Sequence, residues 1–314
     1  MTLSVLKKLG IATAVLLAVW LLYLYRQVPH EQSPFEKACA KAERIILEQG
    51  PQKVELRKES GPPEARLAKG GHWEVGSGPS YAADESSVAT LISGLKGILI
   101  DDEISDRADR AAEYEVNLES GTVVRLLDGK GTQLAEGIIG KQAPDFSHIY
   151  FRYPEKPNVY LARGLFRGDL GHVEVNYWRS RQLINIPETK IQSILIEGKG
   201  FKSELVRVST DAWTLNGKAI DPTPVNSLVG TLAHLRADDF VDSAAFPALT
   251  YDSLTYAGVM IKGADASADL RIGAQDSKSK RYPVSVGRDQ GLAWLSESSV
   301  NAILLKPSAF KEKK

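Results

Sequence analysis

Through most of the chain apolar and polar residues alternate with a period of two, the spacing of strands that bury one face. The runs "KVELRKE" (Lys53 to Glu59), "ARLAKGGHWEV" (Ala65 to Val75), "IQSILIEG" (Ile191 to Gly198) and "LVRVSTDAWTL" (Leu205 to Leu215) predict a hairpin of strands in each half of the sequence. Two stretches switch to helical spacing. Val88, Ile92 and Leu95 stand at i, i+4 and i+7, and Leu228, Leu232 and Leu235 repeat that spacing. Asp84 is a capping residue for the first helix and Asp221-Pro222 opens the second. A third, short helix is predicted over Pro34 to Gln49, "PFEKACAKAERIILEQ", where helix formers carry Phe35, Ala38, Ala42, Ile45 and Ile46 until Gly50-Pro51 stops it.

These segments recur in order. Gly71 to Leu95 aligns without a gap on Asp211 to Leu235 at an offset of 140, placing Trp73 on Trp213, Val75 on Leu215, Val88 on Leu228 and Leu95 on Leu235. Farther on, "GTVVRLLDGKGTQLAEGIIGK" (Gly121 to Lys141), "HIYFRY" and "NVYLA" are answered by "AGVMIKGADASADLRIGAQ" (Ala257 to Gln275), "RYPVSVG" and "LAWLS". The unit read from this is two strands, one helix and about four strands, with each tryptophan a core plug between hairpin and helix. Residues 162–190 have no counterpart in the second copy and are either a linking strand or a functional insertion, of which the linker is the reading adopted.

The N-terminus changes the class of protein. Leu9 to Tyr25 is an uncharged run between Lys7-Lys8 and Arg26, with Trp20, Tyr23 and Tyr25 at its far end. As a helix it spans about 25 Å, within reach of the hydrocarbon layer once lysine stems snorkel, and its rings sit at headgroup level. No small-x-small pair follows directly, so the run reads as an uncleaved anchor rather than a signal peptide. The fold class predicted is α+β: an N-terminal transmembrane helix followed by two tandem repeats of a mainly antiparallel sheet with one principal helix each. The divisions are a cytoplasmic tip (1–8), the transmembrane helix (9–25), a juxtamembrane helix and linker (26–50), the first repeat with its linking segment (51–186), the second repeat (187–306) and a charged tail (307–314). The lysines before the run place the N-terminus in the cytoplasm and the bulk of the chain in the periplasm.

Composition narrows the chemistry. With 39 basic and 39 acidic residues there is no net charge to hold the chain on nucleic acid. The single cysteine, Cys39, excludes a disulfide framework within the chain and a cysteine-rich zinc site, leaving an inert helix thiol or a link between two copies. "EGIIGK" (Glu136 to Lys141) lacks the first glycine of a phosphate loop, because Ala135 stands there, and Gln142 replaces its hydroxyl. The Ser-x-x-Lys pairs at Ser93, Ser277 and Ser308 have no companion Lys-Thr-Gly. His30, His72, His148, His172 and His234 are scattered singly, and only His72, beside Trp73, invites a pocket. Asp101 to Glu115 is acidic, but Asp106 occupies the glycine position of a calcium loop, and Arg107 and Arg110 compete for the carboxylates, so it reads as a solvated loop. The aromatics of "HIYFRYPEKPNVYLA" (His148 to Ala162) read as packing before partner contact. No catalytic, metal or cofactor-binding residue is assigned, and no cofactor is called for.

The Trp-containing hairpin before a helix, the "IIGKQ" turn, the "VYLA" strand and above all "WRSRQLINIPETKIQSILIE" (Trp178 to Glu197) make the chain resemble the bacterial family catalogued as domain of unknown function 4340. The resemblance covers most of Val54 to Leu305 and points to Arg179, Arg181, Leu183, Ile184 and the strand Ile191 to Ile196. It implies neighbourhood with ABC-transporter subunits of the gliding-motility type, and hence a periplasmic accessory or scaffold role. The expected function is a non-enzymatic, single-pass inner-membrane protein serving an ABC-type transporter complex. The alternative is a module binding a ligand or glycan in the cleft between the repeats. No oligomeric state follows from the sequence.

Overall fold

Extended segments form wherever the alternation is strong, and each finds a neighbour to take its backbone hydrogen bonds. The computed structural model describes residues 33–58, 73–76, 81–170, 173–242, 245–287 and 291–312, together with Leu16, Leu17 and Trp20. The first lobe runs through α1 (Glu36–Cys39), β1 (Arg44–Gln49), β2 (Gln52–Lys58), β3 (Trp73–Val75), β4 (Tyr81–Ala82), α2 (Glu85–Gly97), β5 (Leu99–Ser105), β6 (Thr122–Leu127), β7 (Gln133–Gln142), β8 (Ile149–Arg152) and β9 (Val159–Arg163). After α3 (Val175–Trp178) the second lobe follows as β10 (Ile191–Gly198), β11 (Phe201–Ser209), β12 (Ala212–Leu215), β13 (Lys218–Ile220), α4 (Pro222–Ala233), β14 (Asp239–Phe240), β15 (Ala257–Gly263), β16 (Ser267–Ile272), β17 (Arg281–Val286), β18 (Ala293–Ser296) and α5 (Glu297–Ile303).

Each lobe holds one nine-stranded sheet, in the orders β4-β3-β2-β1-β6-β7-β8-β9-β5 and β13-β12-β11-β10-β15-β16-β17-β18-β14. The second order is the first displaced by nine strands, and all the pairs are antiparallel. The fold is therefore α+β with two antiparallel sheets. One face of each sheet is covered by its principal helix. Val88, Leu91 and Leu95 of α2 share a core with Leu47, Leu56, Trp73 and Val124. Val225, Leu228 and Leu232 of α4 share another with Ile196, Leu205, Trp213 and Val259. Both caps form: the Asp84 carboxylate accepts from the Ser87 amide, and that of Asp221 from the Thr223 amide with Pro222 in the first turn. Both tryptophans are buried plugs, each with a cation stacked on its ring, Lys58 on Trp73 and Arg207 on Trp213.

The structure corrects several expectations. Of the helix predicted over Pro34 to Gln49, only Glu36–Cys39 is helical, and Arg44–Gln49 is a central strand between β2 and β6. Tertiary context overrides propensity there. Ile45 and Leu47 are fully buried on the face that packs on α2, a demand that the good helix formers around them do not outweigh. Phe35, Ala38 and Cys39 belong to the same core, so the first lobe reaches back into the segment read as a juxtamembrane linker. The order is four strands, a helix and five strands, and the counterpart of "IQSILIEG" is β1, not "KVELRKE". The offset of 140 holds at the tryptophans but becomes 137 at the helices, as Asp84 and Asp221 show. Five residues, 76–80, connect β3 to β4, whereas Asn216-Gly217, both at positive φ, make a two-residue hairpin turn in the second lobe.

Three smaller readings also change. Ile138, Ile139 and Gly140 of "IIGKQ" lie within β7, not in a turn. Asp101 to Ser105 belong to β5, while Ala111 and Tyr114 are buried, so the acidic stretch is only in part a solvated loop. The tail read as charged and free contains a short 3-10 turn, Pro307–Ala309; Phe310 enters the second core and Glu312 pairs with Ile220. The transmembrane expectation for 9–25 falls outside the described residues except at Leu16, Leu17 and Trp20, which are helical and more than half exposed. Among the described residues no helix is long and apolar enough to cross a membrane.

A direct check of the β1 assignment follows. Replacing Leu47 by alanine is expected to cost about 2–5 kcal/mol in denaturant unfolding, as for a fully enclosed leucine, while Leu118→Ala, at a site 64% exposed, should stay within about 0.5 kcal/mol. Equal effects at the two sites would show that Arg44–Gln49 is not a core strand.

Candidate functional site

The segments weighed for chemistry are dispersed. Glu136 to Lys141 is the middle of β7 and forms no phosphate-binding loop. Ser93 and Lys96 lie exposed on α2, Ser277 and Lys280 in the connection between β16 and β17, and Ser308 and Lys311 beyond α5. Arg107 and Arg110 hold the carboxylates of Asp109 and Glu113. Cys39 is buried, and that burial pushes its thiol up to about 11, leaving it protonated and inert at neutral pH. The aromatics of "HIYFRYPEKPNVYLA" stack on one another: Phe151 meets Phe35 edge-on at 6.2 Å and Tyr153 at 4.9 Å, and Tyr153 meets Tyr160 at 5.9 Å. Packing is what the hairpin's rings do. His30, His72 and His172 lie outside the described residues. Among the described residues no group of three histidine, cysteine or acidic side chains converges as a metal site.

Among the described residues two histidines have acidic partners: His234, whose Nε2 lies 3.3 Å from Glu188 Oε1, and His148, which sits in a larger cluster. Its Nδ1 lies 2.5 Å from Asp145 Oδ2 and its Nε2 3.1 Å from Asp101 Oδ2, while Arg163 reaches the other Asp101 oxygen at 3.3 Å. The hydrogen bond to Asp145, with help from Asp101, raises the imidazole pKa. The cluster ties β5 to the β7–β8 connection and to β9. A raised folded pKa means that the contribution is fully present below the unfolded value of about 6.5 and disappears as pH rises through the folded value. The stability difference between the parent protein and His148→Gln is therefore expected to shrink from pH 6 upward, measured by denaturant titration. A difference independent of pH would exclude the ionised pair.

Two features stand apart from simple packing. The first is the joint between the lobes. Residues after α3 form a strap: Trp178 O accepts from the Asp84 amide at 2.7 Å and Ser180 N donates to Ala82 O at 2.8 Å on the first lobe. On the second lobe Ala237 N donates to Arg181 O at 2.7 Å and Leu183 N donates to Leu235 O at 2.9 Å. Between these attachments the Arg179 guanidinium is sandwiched, its carbon 3.7 Å from the ring centroids of both Tyr81 and Phe240. Burial lowers its pKa to about 10, which keeps it charged at neutral pH. Gly291 closes the side of this stack; a Cβ there would lie 2.8 Å from the Tyr81 ring. Arg179→Ala removes two ring contacts of about 0.5–2 kcal/mol each and leaves a cavity. Limited proteolysis is expected to cut the strap faster in that variant, and unchanged cutting would mean that the stack does not hold the joint.

The second feature is a groove of about 750 Å³ on the face of the second sheet that points away from α4. Glu197, Gly258 and Arg271 lie side by side across β10, β15 and β16, and Met260 and Asp269 form the next row. Tyr256 stands at the rim, 43% exposed and stacked at 5.6 Å on Tyr282. Asp269 accepts a 3.0 Å hydrogen bond from the Tyr251 hydroxyl, and the Arg271 guanidinium lies over the Tyr251 ring at 4.4 Å. Glu197 is paired with Lys202 at 2.7 Å. A smaller apolar cavity of about 330 Å³, lined by Phe246, Pro247, Pro283 and Trp294, meets it at Ala274. The sequence offers the cleft between the repeats for a ligand, and the family resemblance points to Arg179, but the groove is not named from the sequence. The alternation of "AGVMIKG" already placed Gly258 and Met260 opposite Val259 and Ile261, but their neighbours on β10 and β16 depend on pairing.

Comparison with known proteins adds a family. The model of a domain of unknown function (DUF4340) matches residues 73–253, more than half of the chain, from β3 of the first lobe across the strap into the second. No curated protein and no solved structure matches.

Proposed function

The chain belongs to the family of the domain of unknown function (DUF4340), and from that premise we propose that it is a non-enzymatic, single-pass envelope protein. Its two lobes, copies of one unit, brace another membrane component. In this reading Leu9 to Tyr25 is the transmembrane anchor, the N-terminus is cytoplasmic and the lobes are periplasmic. Exposure of Leu16, Leu17 and Trp20 on a helical segment is in keeping with a lipid-facing surface. The observation that carries the scaffold role is the joint. A strap bonded to both lobes, with a buried guanidinium clamped between a ring from each, fastens two sheets into a single brace. The family resemblance supplies the partner class, an ABC-type transporter complex.

A second reading, ligand capture, is favoured by the groove on the second lobe rather than by the junction between lobes, where the Arg179 stack is packed.

The test uses the full chain with a C-terminal affinity tag, extracted in detergent. Transporter subunits bearing ATP-binding cassettes are expected to co-purify in stoichiometric amounts, and a chain starting at Ser33 is expected to leave the membrane fraction. An alkaline phosphatase fused after Lys314 should be active, as for a periplasmic C-terminus. Absence of transporter subunits overturns the scaffold reading, and an inactive fusion overturns the orientation.

A further inference from the structure

The first lobe is a built-in control for the groove, because sheet register matches the two faces residue by residue. Glu48 pairs with Val123 as Glu197 pairs with Gly258, and Ile46 pairs with Arg125 as Leu195 pairs with Met260. On the next strand Glu136 lies opposite Arg125 as Asp269 lies opposite Met260. In the first lobe side chains occupy this face. Val123 is buried with Ala111, Tyr114 and Val116, which the segment between β5 and β6 lays over the sheet. The Arg125 guanidinium bonds to Glu48 and, at 2.6 Å, to Glu136. In the second lobe both acids are retained, but the valine is a glycine and the arginine a methionine. The floor has lost a side chain and the plug has lost its head, and the groove is the result.

What would fill it is limited by charge and surface. Each acid of the groove already has a basic partner: Lys202 for Glu197, and Arg271 at 3.6 Å for Asp269. Lys199 also lines the groove, so its two acids, Glu197 and Asp269, stand with two lining bases, Lys199 and Arg271. The lining itself carries no net charge for a phosphate or a metal ion, yet its oxygens and N–H groups retain hydrogen-bonding capacity. Beside them Tyr256 and Met260 present an exposed ring and thioether. A volume of about 750 Å³ is within the range of small-ligand sites. A saccharide has the matching chemistry: uncharged, with hydroxyls that donate and accept, and C–H faces that lie on a ring.

We propose that this groove binds an uncharged oligosaccharide, with Glu197, Asp269 and Arg271 engaging hydroxyls and Tyr256 supporting a sugar face. The site is independent of the anchor and of the transporter partner, so losing it should leave co-purification intact.

The test is titration calorimetry of the full chain, in a detergent without a sugar headgroup, against maltoheptaose, cellohexaose and chitohexaose, with a polygalacturonate oligomer as the anionic comparison. At least one neutral oligosaccharide is expected to bind saturably. Gly258→Val, which installs the first lobe's residue, is expected to weaken it by about tenfold or more, equivalent to about 1.4 kcal/mol. That variant should fold, because the nearest atom to a Cβ at Gly258 is the Leu270 carbonyl oxygen at 3.9 Å. Should its melting temperature fall, Tyr256→Ala at the exposed rim provides the second variant, with the same loss expected. The proposal is overturned if no neutral oligosaccharide binds, if the anionic oligomer binds more tightly, or if a folded variant keeps the parent affinity.

Discussion

Strands β1 and β6 lie on opposite sides of a helix in the chain, yet they pair side by side at the centre of the first sheet, and β10 and β15 do the same in the second. Each pairing joins the hairpins before the helix to the meander after it. It commits Leu47 with Val124, and Ile196 with Val259, to the face that the helix covers. With that face buried, a slip of one residue would turn every apolar side chain outward, so the register is strongly specified. The inner cores, the outer faces and the location of the groove all depend on this contact.

The inner and outer faces carry different information. Inside, the lobes agree: large aliphatic residues, the matched pair Trp73 and Trp213, and a principal helix capped by an aspartate in each. Outside, they diverge. Arg44 holds Glu55, and Arg125 bridges Glu48 and Glu136, on the first sheet. The second sheet exposes Val206, Val208 and Met260. Burial constrains the inside to one solution, whereas the outside is free to specialise, and this is why function is sought there.

The joint obeys a different rule. Taking a guanidinium out of water is costly unless its charge is met, and here a ring face from each lobe contributes to meeting it. One ring comes from the β4 edge and the other from the β14 edge, so the stack exists only when the lobes are together. The strap also gives Trp178 to the first core and Leu183, Ile184 and Ile186 to the second. What reads as a linker in sequence is a component of both lobes.

By itself the sequence determined the α+β class, both principal helices with their aspartate caps, the two tryptophan plugs and the parallel succession of segments in the two halves, because these depend on local periodicity and capping. Tertiary structure alone decided that Arg44–Gln49 is a strand, since helix-forming composition yields there to burial between two neighbours. It also decided that Arg179 stacks between lobes and that Gly258 and Met260 line a groove at the positions where the first lobe carries Val123 and Arg125. Each of these rests on residues far apart in the chain that meet only through strand pairing, and no local pattern records which strands will be neighbours.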